Sequence, residues 1–205
     1  MLPDGLVAAF LTLSLALALV RAIYESRKSH RGEKAAREEA GSDKREPLII
    51  LSAILVVVFY LEIIVYVVWV LAGFPSILAM SHVQLRFPFD SLVQSFGFAM
   101  MIFGYVIVFL GLHALDRDIL VTSGLYHYVR HPQYLGYFFV FAGFFLLLLN
   151  FVALAPLLSI PGEVRMATIE DGFLARRFGD PYVSYQRVTG KFFPRVRHRE
   201  RRSEE

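Results

Sequence analysis

Along this chain apolar and polar positions do not alternate; they gather into blocks. Uncharged, mostly apolar runs occupy about 5–20, 48–72, 91–115 and 132–162, and Glu62 is the one charge that interrupts the second. A hydrocarbon layer about 30 Å thick is crossed by roughly 20 apolar residues in a helix, and each of the first three blocks predicts such a helix. The fourth block is too long for one span and carries Asn150 near its middle. It predicts a hairpin of two helices, about 133–149 and 151–169, turning at Asn150-Phe151. Pro156, Pro161 and Gly162 predict a kink or break in the second arm, tolerable where neighbouring helices cover the freed backbone. The expected architecture is an all-α, polytopic membrane helical bundle of about five transmembrane segments, the last two a helical hairpin.

Composition agrees with this class. A hydrophobic share of 56% over 205 residues and a mean hydropathy of +0.53 exceed what an ordinary soluble domain carries. Cysteine is absent, which excludes a disulfide framework, thiolate chemistry and a lipidated terminal Cys.

Charge then orients the segments. Residues 24–46 hold seven Lys/Arg, 73–91 hold one, 116–131 hold two and 163–205 hold ten. With the N-terminus outside, every richer segment falls on the cytoplasmic side, and a hairpin brings the C-terminus there too. This balance is the same whether the hairpin 132–169 crosses fully or is re-entrant. A cleavable signal peptide is the alternative for the first block, with "ALA" at 16–18 as its cleavage site, but "MLPDG" lacks a positive charge. The segment 24–46 balances its bases with Glu25, Glu33, Glu38, Glu39, Asp43 and Glu46, so it reads as a solvated linker or short surface helix, not a nucleic-acid patch. The tail 196–205 is basic and expected to be disordered near anionic headgroups.

Three groups of polar residues interrupt the apolar pattern. Glu62 lies within a span, where a carboxylate must be paired, protonated or facing a wet cavity; a hydrogen bond to a neighbouring helix and a functional role are both open. "DRDILVTSGLYHYVRHPQYLGY" (116–137) packs a Thr-Ser-Gly turn, tyrosines, histidines and an Arg-His-Pro step between two apolar helices. Pro132 suits the first turn of the next helix and predicts an extended His131 ahead of unsatisfied N–H groups, a seat for a carboxylate or phosphate. Finally, "GEVRMATIEDGFLARRFGDPYVSYQRV" (162–188) sets Leu174, Phe178, Tyr182 and Tyr185 at helical spacing. A helix continuing from the hairpin would bring Arg165, Glu170 and Asp171 back toward Arg130 and His131. The second and third groups also suit an interfacial belt of aromatics and an interfacial helix with solvated charges, and both readings stand at this level.

Taken together, "LVTSGLYHYVRHPQYLGY", "EDGFLARRFGDPYVSYQRV" and the later "FFP" resemble the isoprenylcysteine carboxyl methyltransferase family of integral membrane enzymes, over about residues 117–195. The resemblance implies S-adenosylmethionine as cofactor, bound by a cytoplasmic C-terminal region, 116–195, that follows transmembrane helices 1 to 3 in 1–115. It implies backbone contacts from Leu120 and Val121, and a cofactor wall shaped by Gly124 and Tyr126. Arg130, His131 and Tyr134 would hold the methionyl end or the adenine. Glu170 would take the amino group or the substrate end, and Arg165 would orient the methyl acceptor. Arg165 lies five residues before Glu170, where the family has four, a displacement of about 100° on a helix. His127, Asp118 and Asp171 stand where the family often has a basic residue, a His and a Glu, which marks a divergent, microbial-type member.

Methyl transfer from a sulfonium is an in-line displacement that depends on positioning and on excluding water. A carboxylate acceptor needs only a cation such as Arg165; an amine acceptor needs a base such as Glu170 or His131. The leading expectation is methylation of a lipophilic or prenylated carboxylate that reaches the site from the bilayer, amid membrane lipids. Phospholipid or amine methylation, an NADPH-dependent membrane reductase and a non-enzymatic scaffold are the alternatives. No metal-ligating set and no nucleic-acid partner are expected.

Overall fold

The structure is a computed structural model that describes residues 2–28, 46–73, 85, 89–115 and 119–195, with the backbone alone for 21–28. The charged linker at 29–45, Asp116 to Asp118 and the tail at 196–205 lie outside these residues. Among the described residues the chain is all-helical, without a named strand. Five long helices coincide with the apolar blocks: α1 (Asp4–Lys28), α2 (Pro47–Leu71), α3 (Asp90–Ala114), α5 (Pro132–Leu148) and α6 (Ala155–Phe178). A single turn, α4 (Leu125–Tyr128), precedes α5, and α7 (Asp180–Val188) follows α6. Among the described residues, three helical stretches are long and apolar enough to cross a membrane, Pro47–Leu71, Asp90–Ala114 and Val152–Phe178, while Asp4–Val20 and Pro132–Leu148 are shorter apolar helices.

Local chemistry sets the ends. Pro47 and Pro132 sit in the first turns of α2 and α5, where a missing N–H breaks no helical bond. The hairpin turns at the expected place. Leu149 adopts the left-handed conformation, and Asn150 then closes the turn by accepting from the Ala153 N–H at 2.8 Å. Asn150 also donates to Glu62 Oε1 at 2.8 Å, so Glu62 does hydrogen-bond a neighbouring segment.

Three expectations are corrected. The second arm does not break at Pro161; α6 runs unbroken through it. Neighbouring α2 packs closely against this stretch. Ser52 Oγ shares its hydrogen between the Ser159 carbonyl (3.0 Å) and Glu163 Oε1 (3.1 Å), and Gly162 lets the two helices touch at Leu48 and Ser52. Conversely, the helical spacing from Leu174 to Tyr185 spans two helices rather than one. Gly179 (φ +61°) separates α6 from α7, a conformation that other residues adopt only under strain, and Pro181 starts the new helix. His131 is also less extended than expected, with ψ at 63°.

Packing within lipid rests on close contact, because the surrounding tails are as apolar as the helices. Helices α3 and α5 meet antiparallel through glycines spaced seven apart on both. A Cβ on Gly97 would lie 2.7 Å from the Gly143 carbonyl oxygen, and one on Gly104 would lie 2.6 Å from that of Gly136. Beside this seam, Phe59 of α2 packs edge-on against Phe141 and Phe144 of α5, joined by Leu11, Ile63 and Met101 in a buried core. Helices α2 and α6 are antiparallel as well, from Asn150 against Glu62 to Arg165 against Glu46. The last 13 residues of α6 therefore project beyond the start of α2, by roughly 20 Å at 1.5 Å per residue. Glu170 and Asp171 ride on that projection.

Candidate functional site

The projecting end of α6 meets the start of α5 through a strap of chain. Val129 and Gly190 form an isolated parallel bridge; the N–H groups of Arg130 and His131 donate to the carbonyls of Gly190 (2.8 Å) and Lys191 (3.1 Å). These bonds fix the backbone from which Arg130 and His131 extend.

Their side chains converge on Asp171. Arg130 grips it with two bonds, Nε to Oδ1 and Nη2 to Oδ2, each 3.2 Å. His131 Nε2 lies 2.8 Å from Oδ1, and the Tyr182 hydroxyl donates to the same oxygen at 2.6 Å. Lys191 Nζ approaches Oδ2 at 3.5 Å and donates to Thr168 Oγ1 at 2.6 Å. Arg130 Nη1 also donates to the carbonyls of Gln186 and Thr189, closing the C-terminal end of α7 with a cation. Asp171 is thus saturated and only 11% exposed, whereas Glu170 next to it is 44% exposed and reaches His131 Nδ1 at 3.6 Å. One carboxylate holds the framework together; the other faces outward.

These neighbours set the ionisation of the site. Burial alone would lower the His131 pKa, but hydrogen bonds and charge from Asp171 and Glu170 overcome it and raise the value above that of an ordinary histidine. Burial lowers that of Lys191 against the pull of Asp171, with Arg130 and Arg165 adding repulsion. Tyr182 is pushed well above the ordinary tyrosine range by burial and by Asp171.

A second feature lies at the end of α3. An open cavity of about 530 Å³ is lined by His113, Ala114 and Leu115 at the end of α3 and by Ile119 to Ser123. Leu120 and Val121 belong to that lining, while Arg130, His131, Tyr134 and Glu170 do not. Gly124 follows with φ +61° and caps α4. Tyr126 joins α3, α5 and α7: its hydroxyl donates to the Gly111 carbonyl of α3 (3.2 Å) and accepts from Gln133, and its carbonyl accepts from the Tyr185 hydroxyl. Burial, with a smaller contribution from the Glu170 charge, raises the Tyr126 pKa to about 12. Tyr134 sets its ring edge-on to His131, 5.7 Å between centroids.

Arg165 is held elsewhere. It pairs with Glu46 at the start of α2, Nε to Oε2 at 2.8 Å and Nη2 to Oε1, although its charge still reaches Lys191. Sequence reasoning assigned no role to Lys191, Tyr182, Tyr185 or Glu46. Two of them were visible as tyrosines in register along 178–185; Lys191 and Glu46 gave no signal.

Comparison with known proteins points to one family. Residues 95–169 match the isoprenylcysteine carboxyl methyltransferase family, a stretch that begins in α3, includes the cavity lining at 119–123 and ends one residue before Glu170. The chain is also similar to the protein-S-isoprenylcysteine O-methyltransferase of Schizosaccharomyces pombe, 38% identical over 80 residues. That alignment covers 38% of this chain and 34% of the yeast protein, so the chain spans about a third of the relative it matches. Over α3, α4, α5 and most of α6, this chain is similar to the isoprenylcysteine carboxyl methyltransferase family.

Proposed function

We propose that the chain is an integral-membrane methyltransferase that moves a methyl group from S-adenosylmethionine to the carboxylate of a lipophilic acceptor of the isoprenylcysteine kind. One observation carries the reading: the family-matched residues 95–169 are those that build the cavity at 113–123 and the His131 end of α5.

The residues present fit the cofactor. An amino-acid-bearing nucleoside needs a cavity of several hundred Å³, a cation for its carboxylate and an anion for its ammonium. The cavity of about 530 Å³ has the volume, the outward Glu170 is an anion for the ammonium, and Arg130 and His131 are the nearby cations, which would reach a ligand carboxylate only by sharing it with Asp171. In this reading Leu120, Val121 and Gly124 offer backbone to the nucleoside and Tyr126 forms a wall. Arg130, His131 and Tyr134 hold the methionyl end, and Glu170 takes the ammonium. When bound, the cofactor supplies an electrophilic methyl group and a leaving group that departs neutral.

The chain's own part is then positioning. Arg165 fixes the acceptor carboxylate, which needs no base. Both ring nitrogens of His131 face carboxylates, so neither is open to an amine acceptor, and Glu170 is the cofactor's counter-ion in this reading; this favours a carboxylate over an amine acceptor. Helices α1, α2, α3, α5 and α6 cross the bilayer with the N-terminus outside, which sets the Asp171 cluster on the basic, cytoplasmic side.

The test is calorimetric titration of the detergent-purified chain with S-adenosylhomocysteine and, separately, NADPH. Saturable nucleoside binding that is lost in His131→Ala is expected. A folded protein that ignores the nucleoside, or prefers NADPH, would overturn the reading.

A further inference from the structure

Glu46 precedes α2, yet its side chain makes no capping bond to its own helix. Both of its oxygens instead engage the Nε and Nη2 edge of Arg165, 119 residues away. A guanidinium edge takes one carboxylate at a time in this two-bond fashion. The pair is 39% and 35% exposed, so it is open to a competing carboxylate and screened by solvent.

We propose that Glu46 is a built-in occupant of the acceptor-carboxylate position: it holds Arg165 until an acceptor carboxylate displaces it, and reclaims Arg165 once that carboxylate has become an ester. This rests on the reading of Arg165 as the acceptor-orienting residue. The exchange is charge for charge, because the incoming carboxylate carries the same single negative charge as Glu46. In the transfer itself the methyl carbon leaves sulfur and bonds to a carboxylate oxygen. The sulfonium becomes a neutral thioether, the carboxylate a neutral ester, and no proton moves. An ester lacks the charge to keep the guanidinium from Glu46, so the product is released where the acid was retained. Glu46 thereby favours anionic acceptors over their neutral esters and acts on the reaction through Arg165, as a positioning residue.

The test compares wild type, Glu46→Gln, Glu46→Ala and Arg165→Gln as full chains in detergent, each checked for helix content by circular dichroism. The probes are an S-prenylcysteine and its methyl ester, titrated directly, with KM and kcat measured alongside. Both Glu46 variants should bind the acid about two- to five-fold more tightly, the range for displacing a weak exposed pair, with KM falling by the same factor. The advantage should shrink as salt rises. A merely structural Glu46 would weaken binding on removal. Unchanged or weaker acid binding in both Glu46 variants, with binding lost in Arg165→Gln, overturns the role of Glu46 and leaves that of Arg165 intact. Acid binding retained in Arg165→Gln overturns the Arg165 reading and this proposal with it.

Discussion

Nε2 of His131 lies 2.8 Å from Oδ1 of Asp171, a contact between residues 40 apart that ties the start of α5 to the far end of α6. The same carboxylate accepts from Arg130 and Tyr182 and draws in Lys191. Removing it leaves several buried donors without a partner.

Asp171→Ala should therefore destabilise the protein by about 3 kcal/mol, within the range for breaking a buried charge network, and should abolish nucleoside binding. Glu170→Gln, at an exposed carboxylate, should leave the thermal midpoint nearly unchanged while weakening nucleoside binding. Differential scanning calorimetry with parallel titration separates the two. Equal midpoints for both variants would refute the division of labour between the neighbouring acids.

His131 has a folded pKa raised above its ordinary value of about 6.5, so protonation and folding support each other. Its contribution to stability is complete below about pH 6.5 and is lost as pH rises through the higher folded value. The midpoint difference between wild type and His131→Gln should accordingly be largest in mild acid and shrink toward alkaline pH. A difference that grows with pH would contradict the assignment.

At the α3–α5 seam there is no room for a methyl group. Gly104→Ala would set its Cβ 2.6 Å from the Gly136 carbonyl, and should cost about 1–3 kcal/mol, as overpacking does. Gly5→Ala, with nothing within 4 Å of the added atom, serves as the control and should be neutral or slightly stabilising. Heat-induced loss of monodisperse protein in detergent would report both.

Asn150→Ala should destabilise by about 1–3 kcal/mol, because it removes the cap on Ala153 and strips Glu62 Oε1 of its partner while Glu62 Oε2, already buried without a hydrogen bond, gains none. Combining it with Glu62→Leu should recover part of the loss. If the double variant is no better than the single one, the two side chains are not coupled.

Much of the helix plan was legible because lipid imposes a coarse rule: backbone groups must bond within the segment, so spans appear as apolar runs, and Asn150 marked the turn. The convergence of Glu170 and Asp171 on Arg130 and His131 followed from folding the hairpin back on itself. Pro161 was misleading, because a proline within a helix packed closely against a neighbour, here α2 at Gly162, need not break it, and that neighbour lies about a hundred residues earlier in the chain. Gly179-Asp180-Pro181 did carry the signal of a break, but the regular spacing of four aromatic and aliphatic positions masked it. The pairing of Arg165 with Glu46 had no local trace, since distant charges at opposite ends of a hairpin and a span find each other only in three dimensions.

The glycine contacts between α3 and α5 also bear on traffic through the bilayer. Where backbones touch too closely for one methyl group, a prenyl or acyl tail cannot slide between them, so that wall is sealed for as long as the glycines stay in contact. A lipophilic acceptor that came from the side would therefore have to pass between another pair of helices.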